Sequence, residues 1–516
     1  MWLVVVAACG VTRPSDVVVF ASGSDLESAN PLVTIHPLAR QVQRHALFVT
    51  LVRYDSTLGV QPYYARAWRW SADRRQLDMR LLSGLQWHDG HPTTARDVAF
   101  TLTAGRDART GFARASDLAA IDTVVPTSDS TLTIRFRDFQ RELPAIIAEL
   151  PIVPAHLLGR VPLAEMRRAE FNFAPVGNGP FRFVSRVPGQ AWTFERNTSF
   201  PEAMGGPPKI RRLVIAVVDE ATTKFAGLAA GDLDFAGIAP TMAALAERDP
   251  TIEVLDYPVL FTNALVLNVH RPPFNDPRVR RALDLTIDRP RIVEAALAGY
   301  ATPASGPVPP ENPLALPGTP TLDVSAADSL LTAAGHRRGR DGGRGVTVEL
   351  LTVGSGDNAV EQLIQADLAE LGIRVEIRQL ELAAFLARAR ADEKSYDMLI
   401  TGIPGDLSLS YLRAMFESAQ HAGSLDYADY HSAALDALFA RAGSARDGRS
   451  LRSTWQDVQR FLARETPVVW LYHSRGVQGV ASRMENVVMD LRGELTSVAR
   501  WSVAGTPDSG MVARAP

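Results

Sequence analysis

Residues 81–102 have the sequence LLSGLQWHDGHPTTARDVAFTL, and this stretch is the most informative part of the chain for the fold. Trp87-His88-Asp89-Gly90 predicts a tight turn, because glycine accepts the left-handed backbone conformation that such turns need. Thr94 then precedes apolar residues at helical spacing, and Asp97 follows three positions later. A threonine before a first turn that contains an acid is typical of a capped helix start. We therefore expect a strand, a turn and a capped helix in immediate succession.

Strand-like and helix-like patterns alternate along the rest of the chain. Residues 64–70 and 76–81 alternate apolar and polar side chains, which predicts neighbouring antiparallel strands with one buried face. Residues 346–351 and 374–377 have strand patterns, and a helical pattern runs from about Ala359 to Glu370 between them. A strand, a helix and a second strand in this order predict a parallel pair with a right-handed crossover. The fold class is therefore mixed α/β.

Composition limits the classes of protein that fit. The chain has 516 residues, 46% of them hydrophobic, and a formal net charge of −3. Its length predicts two to four domains, at roughly 100–200 residues for each domain. The balanced charge argues against a nucleic-acid partner, which usually requires a basic surplus or stripe. The single cysteine, Cys9, excludes disulfides within one chain and metal clusters built from cysteines.

Catalytic motifs are absent from the sequence. It has no G-x-S-x-G, P-loop, H-E-x-x-H or Rossmann glycine motif. His88 and His91 have a spacing that some metal ligands share, but Asp89-Gly90 between them favours a hydrogen-bonded turn. The other histidines are scattered singly. We therefore expect no enzymatic activity, no cofactor and no metal site, while an active site made of distant residues stays an open alternative.

The first ten residues, MWLVVVAACG, form an apolar run that ends at Cys9. The run is too short to span a bilayer, which needs about 20 residues in a helix. Val6-Ala7-Ala8-Cys9 resembles a bacterial lipobox, in which the cysteine is lipidated and becomes the mature N-terminus. We expect residues 1–9 to be the remnant of a lipoprotein signal, with Cys9 as the lipidation site. The alternative is a buried first strand with an inert cysteine.

Six stretches, in order, resemble signature segments of the dipeptide/oligopeptide/nickel-binding family of ABC-transporter solute-binding proteins, that is, bacterial extracellular solute-binding protein family 5. They are 81–102, 174–183 (APVGNGPFRF), 228–234 (LAAGDLD), 267–289 (with PPFNDPRVRRAL), 367–376 (DLAELGIRVE) and 396–398 (YDM). Most of their glycines and aspartates fit turns and helix caps, so they indicate the fold and not the ligand.

The resemblance implies a two-lobed periplasmic-binding-protein-like fold of type II, in the large class with an extra inserted subdomain and a two-segment hinge. The expected domains are lobe I at 16–50, 172–262 and 474–516, its inserted subdomain at 51–171, and lobe II at 263–473. The resemblance also implies a hinge mechanism, in which ligand shifts the population toward a closed form.

Candidate ligand-binding residues in lobe II follow from the same resemblance. In peptide-binding members, an acid after the "Y-D" strand pairs with the peptide α-ammonium, and Asp406 matches it in the stretch 401–411, with Gly402 and Tyr411 beside it. This stretch is shorter than in the family and lacks its Asp-Pro, so a turn aspartate remains the alternative. Ser355 and Asn358 lie at a strand-to-helix turn, where backbone N–H groups favour a carboxylate.

Three further candidates lie elsewhere in the chain. Asn30 and Leu32 belong to the first loop of lobe I, which lines the cleft in family members. Trp470 lies near the second crossover, where it fits either the cleft or the core.

The resemblance implies that the protein captures a small ligand, a peptide, and delivers it to the permease subunits of an ABC importer. The protein is expected to be a monomer that its lipid anchors on the periplasmic or cell-surface side of the bacterial cytoplasmic or outer membrane. A nickel chelate, an opine or an oligosaccharide is the alternative ligand. A sensor or chaperone-like lipoprotein without transport is the alternative role.

Overall fold

The computed structural model describes residues 14–34, 36–354, 358–391, 393–421, 423, 425–445 and 447–505. The predicted signal segment with Cys9, and Ser355, lie outside the described residues. The chain divides into two compact units: unit 1 runs to Leu255 and resumes at Gln478, and unit 2 is Asp256–Val477. The predicted lobe and subdomain boundaries stay a prediction.

Both units contain β-strands. In the described residues they are β1 (Val17–Ser22), β2 (Val52–Tyr54), β3 (Val60–Pro62), β4 (Ala65–Trp70), β5 (Gln76–Leu81), β6 (Ile121–Ser128), β7 (Thr131–Phe136), β8 (Phe181–Val187), β9 (Ala191–Arg196), β10 (Arg212–Val217), β11 (Phe235–Gly237), β12 (Ile252–Leu267), β13 (Ala301–Pro303), β14 (Val346–Val353), β15 (Ile373–Leu380), β16 (Met398–Pro404), β17 (Val468–Ala481), β18 (Met484–Glu485) and β19 (Ser502–Val503).

Helices alternate with these strands. The α-helices of the described residues are α1 (Pro37–Val42), α2 (Ala95–Arg106), α3 (Ile146–Glu149), α4 (Ala155–Leu158), α5 (Ala221–Ala229), α6 (Ala243–Ala246), α7 (Pro277–Thr286), α8 (Arg289–Leu297), α9 (Val324–Ala333), α10 (Ala359–Glu370), α11 (Leu382–Ala389), α12 (Ser410–Phe416), α13 (Ala433–Ser444) and α14 (Gly448–Glu465). Among the described residues, no helix combines the length and the apolar character that crossing a membrane requires.

Unit 1 contains a mixed sheet and a smaller antiparallel sheet. In the mixed sheet β1 is parallel to β10 and β11. β10 pairs antiparallel with β9, and β9 pairs antiparallel with β8. The antiparallel sheet has the order β4-β5-β7-β6, so the predicted antiparallel pairing of the β4 and β5 segments is confirmed. The core beneath the mixed sheet is aromatic: the Phe235 ring stacks on Trp501 at 4.1 Å and lies 5.6 Å from Phe20.

The turn and capped helix predicted from residues 81–102 are both present in unit 1. Gly90 has a φ of +89°, in the left-handed region that a turn glycine favours. Thr94 Oγ1 accepts a hydrogen bond from the Arg96 backbone N–H, and the Asp97 carboxylate accepts one from Thr94 N at 2.7 Å. Asp97 is buried, and its second oxygen accepts from Ala155 N at 2.9 Å. The cap therefore also ties α2 to α4.

Unit 2 is a sheet between two helical layers. The strand order is β15-β14-β16-β12-β17, with β13 added to β17. β14 and β15 are parallel and joined by α10, as the sequence predicts. Alternate residues of β16 face opposite layers, because side chains alternate along a strand. Leu399 and Ile403 pack with α12, α13 and α14, whereas Met398 and Ile400 pack with α7, α9 and α10.

Candidate ligand-binding site

The ends of several unit 2 strands meet at one edge of the sheet. β14 is parallel to β15 and to β16, so the carboxyl ends of all three strands lie on the same side. β12 runs antiparallel to β16 and pairs Phe261 with Pro404 at this side. Loops at the carboxyl ends of parallel strands form the ligand crevices of open α/β sheets. We call this side the carboxyl edge, and three of the candidate residues that were predicted in lobe II, Gly402, Asp406 and Asn358, lie on it.

Asp406 lies in the loop between β16 and α12, where its carboxylate is held by its own loop. Its Oδ1 accepts hydrogen bonds from Ser408 N (2.9 Å), Ser408 Oγ (2.6 Å) and Ser410 N (3.0 Å). Its Oδ2 accepts from Ser410 Oγ (2.7 Å) and Tyr411 N (3.1 Å). Five donors meet a group with about four lone-pair sites, so the carboxylate is fully hydrogen-bonded and its position is fixed.

Gly402 lies on β16 beneath the ring of Phe261. A Cβ at this position would lie 2.1 Å from the Cζ atom of Phe261, so only glycine fits while the ring keeps its place. The Phe261 ring is 40% exposed although it packs on the strand. The sequence predicted Gly402 as a site residue but not Phe261. The two residues are 141 positions apart in the chain, and only the antiparallel pairing of residues 261–267 with 398–404 brings them together.

Apolar and polar groups lie together along the carboxyl edge. Phe261, Val353 and Leu382 are large apolar residues that are 40%, 42% and 55% exposed. Val353 ends β14, Leu382 follows the end of β15, and Phe261 lies within β12 opposite Pro404, the last residue of β16. Asn358, directly before α10, accepts a hydrogen bond from Gln379 Nε2 at 2.5 Å through its side-chain oxygen. This bond ties the start of α10 to β15.

Tyr411 and Trp470 have the surroundings of core residues. The Tyr411 hydroxyl donates to the Pro307 carbonyl at 2.8 Å, and burial raises the pKa of this hydroxyl well above its ordinary value. Trp470 is 5% exposed, packs with the layer of α12, α13 and α14, and accepts from Arg289 Nε at 2.6 Å through its carbonyl. A ligand contact for either residue stays a prediction.

Asn30 and Leu32 are buried in unit 1, in the loop that follows β1. Asn30 Oδ1 accepts from Leu32 N at 3.0 Å, and Asn30 Nδ2 donates to Asn172 Oδ1 at 3.0 Å. Both side chains are 0% exposed. These contacts give the pair a role in holding the loop, and their predicted contact with ligand stays a prediction.

Sequence comparison gives the family to which this α/β chain belongs. The profile of the bacterial extracellular solute-binding proteins, family 5 (middle region), matches residues 59–422. The chain belongs to this family, and the resemblance drawn from its motifs is confirmed. The members of the family are binding proteins.

Two curated relatives span nearly the whole chain. The oligopeptide-binding protein AppA of Bacillus subtilis is 25% identical over 480 residues, which are 89% of this chain and 86% of the relative. The glutathione-binding protein GsiB of Escherichia coli is 27% identical over 485 residues, which are 90% of this chain and 91% of the relative.

Solved structures have the same fold. AppA of Bacillus subtilis in complex with a nonapeptide has a TM-score of 0.80 at 23% identity, covering 95% of this chain and 99% of that one. NikZ of Campylobacter jejuni in complex with Ni(L-His) has a TM-score of 0.82 at 22% identity, covering 95% of this chain and 100% of that one. The predicted fold class, a periplasmic-binding-protein-like α/β fold with two lobes, is confirmed.

Proposed function

We propose that this chain is an extracytoplasmic lipoprotein that captures a peptide and delivers it to an ABC importer, with Asp406 pairing with the peptide α-ammonium. The observation that carries the proposal is the carboxylate that its own loop holds in place at the carboxyl edge. The oligopeptide- and glutathione-binding relatives support a peptide as the ligand.

The hydrogen bonds around Asp406 allow an ammonium group to enter without a change of backbone. Three of the five donors are backbone N–H groups, and the other two are the hydroxyls of Ser408 and Ser410. A hydroxyl rotates freely and is also an acceptor. Both hydroxyls can therefore turn away from the carboxylate and accept from the ammonium, while the backbone donors keep the carboxylate oriented. Charge-assisted bonds of this kind are about twice as strong as neutral ones.

The exposed apolar side chains of the carboxyl edge suit peptide side chains of varied sequence. Phe261, Val353 and Leu382 offer surface without directional bonds. Apolar burial stabilises a complex by about 25 cal/mol per Å² and requires only approximate shape. We therefore expect the α-amine to determine the ligand class, and the side chains of the peptide to modulate affinity.

A thermal-shift screen tests the ligand class. The ligands are di-, tri- and oligopeptides, the same peptides N-acetylated, nickel–histidine, opines and oligosaccharides. A ligand at about a hundredfold over its Kd stabilises the folded chain by about 2.7 kcal/mol. We expect free-amine peptides to raise the unfolding midpoint and acetylated peptides to leave it unchanged. A shift with nickel–histidine or a sugar, and none with any peptide, would contradict the peptide proposal while leaving the family intact.

The lipid anchor is a separate part of the proposal and rests on the sequence VAAC at residues 6–9. In a bacterial host, we expect the wild-type chain to sediment with membranes and to carry the mass of a diacylglyceryl group on Cys9. The Cys9→Ala variant is expected in the soluble extracytoplasmic fraction. Membrane association that survives this substitution would contradict lipidation at Cys9.

A further inference from the structure

Four metal-ligating side chains come together in unit 2 at the side opposite to the carboxyl edge. They are His421, Asp426, Asp429 and His431, all between α12 and α13, and we call them the His–Asp cluster. His270, which follows the end of β12, borders the cluster through Asp429. β12 reaches this side after pairing Leu267 with Met398, the first residue of β16. The cluster is therefore separate from the candidate ligand-binding residues.

The cluster is compact, with one possible ligand atom of each side chain close to those of the other three. His421 Nδ1 lies 3.3 Å from His431 Nε2, 3.4 Å from Asp426 Oδ2 and 3.2 Å from Asp429 Oδ1. His431 Nε2 lies 3.2 Å from Asp426 Oδ2 and 3.6 Å from Asp429 Oδ1. All four atoms lie within 4.8 Å of one another.

These separations match the edges of a tetrahedral metal site. Zinc binds histidine nitrogen and carboxylate oxygen at about 2.0–2.2 Å, and a tetrahedron with such bonds has edges of about 3.3–3.5 Å. The five separations of the cluster run from 3.2 to 3.6 Å. An octahedral site with bonds of about 2.1 Å would hold neighbouring ligands about 3.0 Å apart. The geometry therefore favours a tetrahedral ion over an octahedral one.

The groups around the cluster orient its ligands as the surroundings of metal sites do. Asp429 directs Oδ1 into the cluster, and its Oδ2 lies 3.3 Å from His270 Nε2, which also bonds the Asp429 carbonyl at 2.9 Å. Ligating carboxylates are commonly hydrogen-bonded in this way by a second layer of residues. The Asp426 side chain is 1% exposed. Two carboxylates meet here, and a divalent cation would balance both charges in a site that is partly withdrawn from water.

We propose that the His–Asp cluster binds one divalent metal ion of the zinc class, with all four ligands supplied by this chain. A filled tetrahedral shell is typical of structural sites, whereas catalytic sites keep a position open. The ion would link His421, which follows α12, to residues 426–431, which precede α13. The proposal does not depend on the identity of the transported ligand.

Unit 1 offers a matched control. Asp89, His91 and His156 also lie within ligand distance of one another, but they form a group of three, and the two imidazole rings stack at 4.3 Å. This group supplies at most three protein ligands, one fewer than the His–Asp cluster. A His91→Gln substitution therefore removes a comparable exposed histidine from a similar group without touching the proposed site.

Zinc titration of the purified, metal-free chain tests the proposal, with a chromophoric chelator as competitor. We expect one zinc ion per chain, and weakening of the affinity by at least about tenfold in His421→Gln and in Asp429→Asn. The His91→Gln variant should bind as the wild type does. His421 is 61% exposed, so its substitution is expected to leave folding unchanged, and unfolding midpoints without zinc check this point.

Cobalt(II) provides a second readout, because tetrahedral cobalt absorbs visible light much more strongly than octahedral cobalt. The wild type and His91→Gln are expected to show the intense tetrahedral spectrum, and His421→Gln to lose it. The proposal is overturned if zinc does not bind, if binding survives both cluster substitutions, or if the cobalt spectrum is octahedral. In the first two cases the cluster is a set of histidine–aspartate contacts only, and in the third it is not a site of the zinc class.

Discussion

Replacing Asp406 by asparagine separates the two roles that the carboxylate is proposed to have. Asparagine keeps one acceptor oxygen and replaces the other with an amide that donates. If the oxygen takes the Oδ1 position, the bonds from Ser408 N, Ser408 Oγ and Ser410 N are retained. The Ser410 hydroxyl can turn and accept from the amide, but the Tyr411 N–H loses its partner.

The two expected effects differ in size. One unsatisfied backbone donor costs about 1–3 kcal/mol of unfolding free energy. Removing the charge partner of a bound ammonium costs at least about 2 kcal/mol of binding free energy. This second value corresponds to a loss of affinity of about 30-fold, since about 1.4 kcal/mol is tenfold. Asp406→Asn should therefore lose both stability and affinity for free-amine peptides.

Isothermal titration calorimetry with free and N-acetylated peptides measures the affinity, and urea unfolding measures the stability. The matched control is Asp447→Asn, because Asp447 caps α14 by accepting from Ser450 N at 2.8 Å, in a loop other than the one that holds Asp406. The control should lose stability and keep peptide affinity. The reasoning is refuted if Asp406→Asn loses stability but binds free-amine peptides within about threefold of the wild type, since that outcome leaves Asp406 as a cap alone.

Three further predictions concern other parts of the chain. Gly402→Ala places a Cβ 2.1 Å from the Phe261 ring and displaces the ring. We expect ligand affinity to fall by about tenfold and the unfolding midpoint to change little. Unchanged affinity in calorimetry would contradict a ligand role for the ring. Burial lowers the pKa of His473 to about 4 from 6.5, so the unfolded chain binds an extra proton between these values and acid destabilises the folded chain. The contribution is about 3 kcal/mol over the full window, and urea unfolding at several pH values should show a smaller acid effect in His473→Gln. Asp97→Ala leaves two backbone N–H groups without acceptors and should cost about 2–4 kcal/mol of unfolding free energy; a loss below 1 kcal/mol in chemical denaturation would show that the cap is replaceable.

Local patterns were sufficient to predict several elements of the fold. The turn at Gly90 and the cap at Thr94 and Asp97 depend on residues within a few positions of one another, and the structure has both. The crossover from β14 through α10 to β15 follows from periodicity, and the predicted helix limits, Ala359 and Glu370, are those observed.

Contacts between distant segments could not be predicted in this way. The carboxyl edge brings Phe261 beside Gly402 through the register of β12 with β16, and no local pattern records that register. His421 and His431 were interpreted as isolated histidines, although the spacing H-x4-D-x2-D-x-H was in the sequence. Their approach to the two aspartates is a property of the folded chain, which spacing alone does not give. Resemblance to the family selected Asp406, but its five hydrogen bonds are a property of the folded loop.

The most direct test of the account is calorimetric titration of the wild-type chain with one peptide in two forms, with a free α-amine and N-acetylated. The account predicts saturable binding of the free-amine form with one peptide per chain, and affinity for the acetylated form at least about 30-fold weaker. Equal affinity for the two forms, or binding of neither, would contradict recognition of a peptide α-ammonium by this protein.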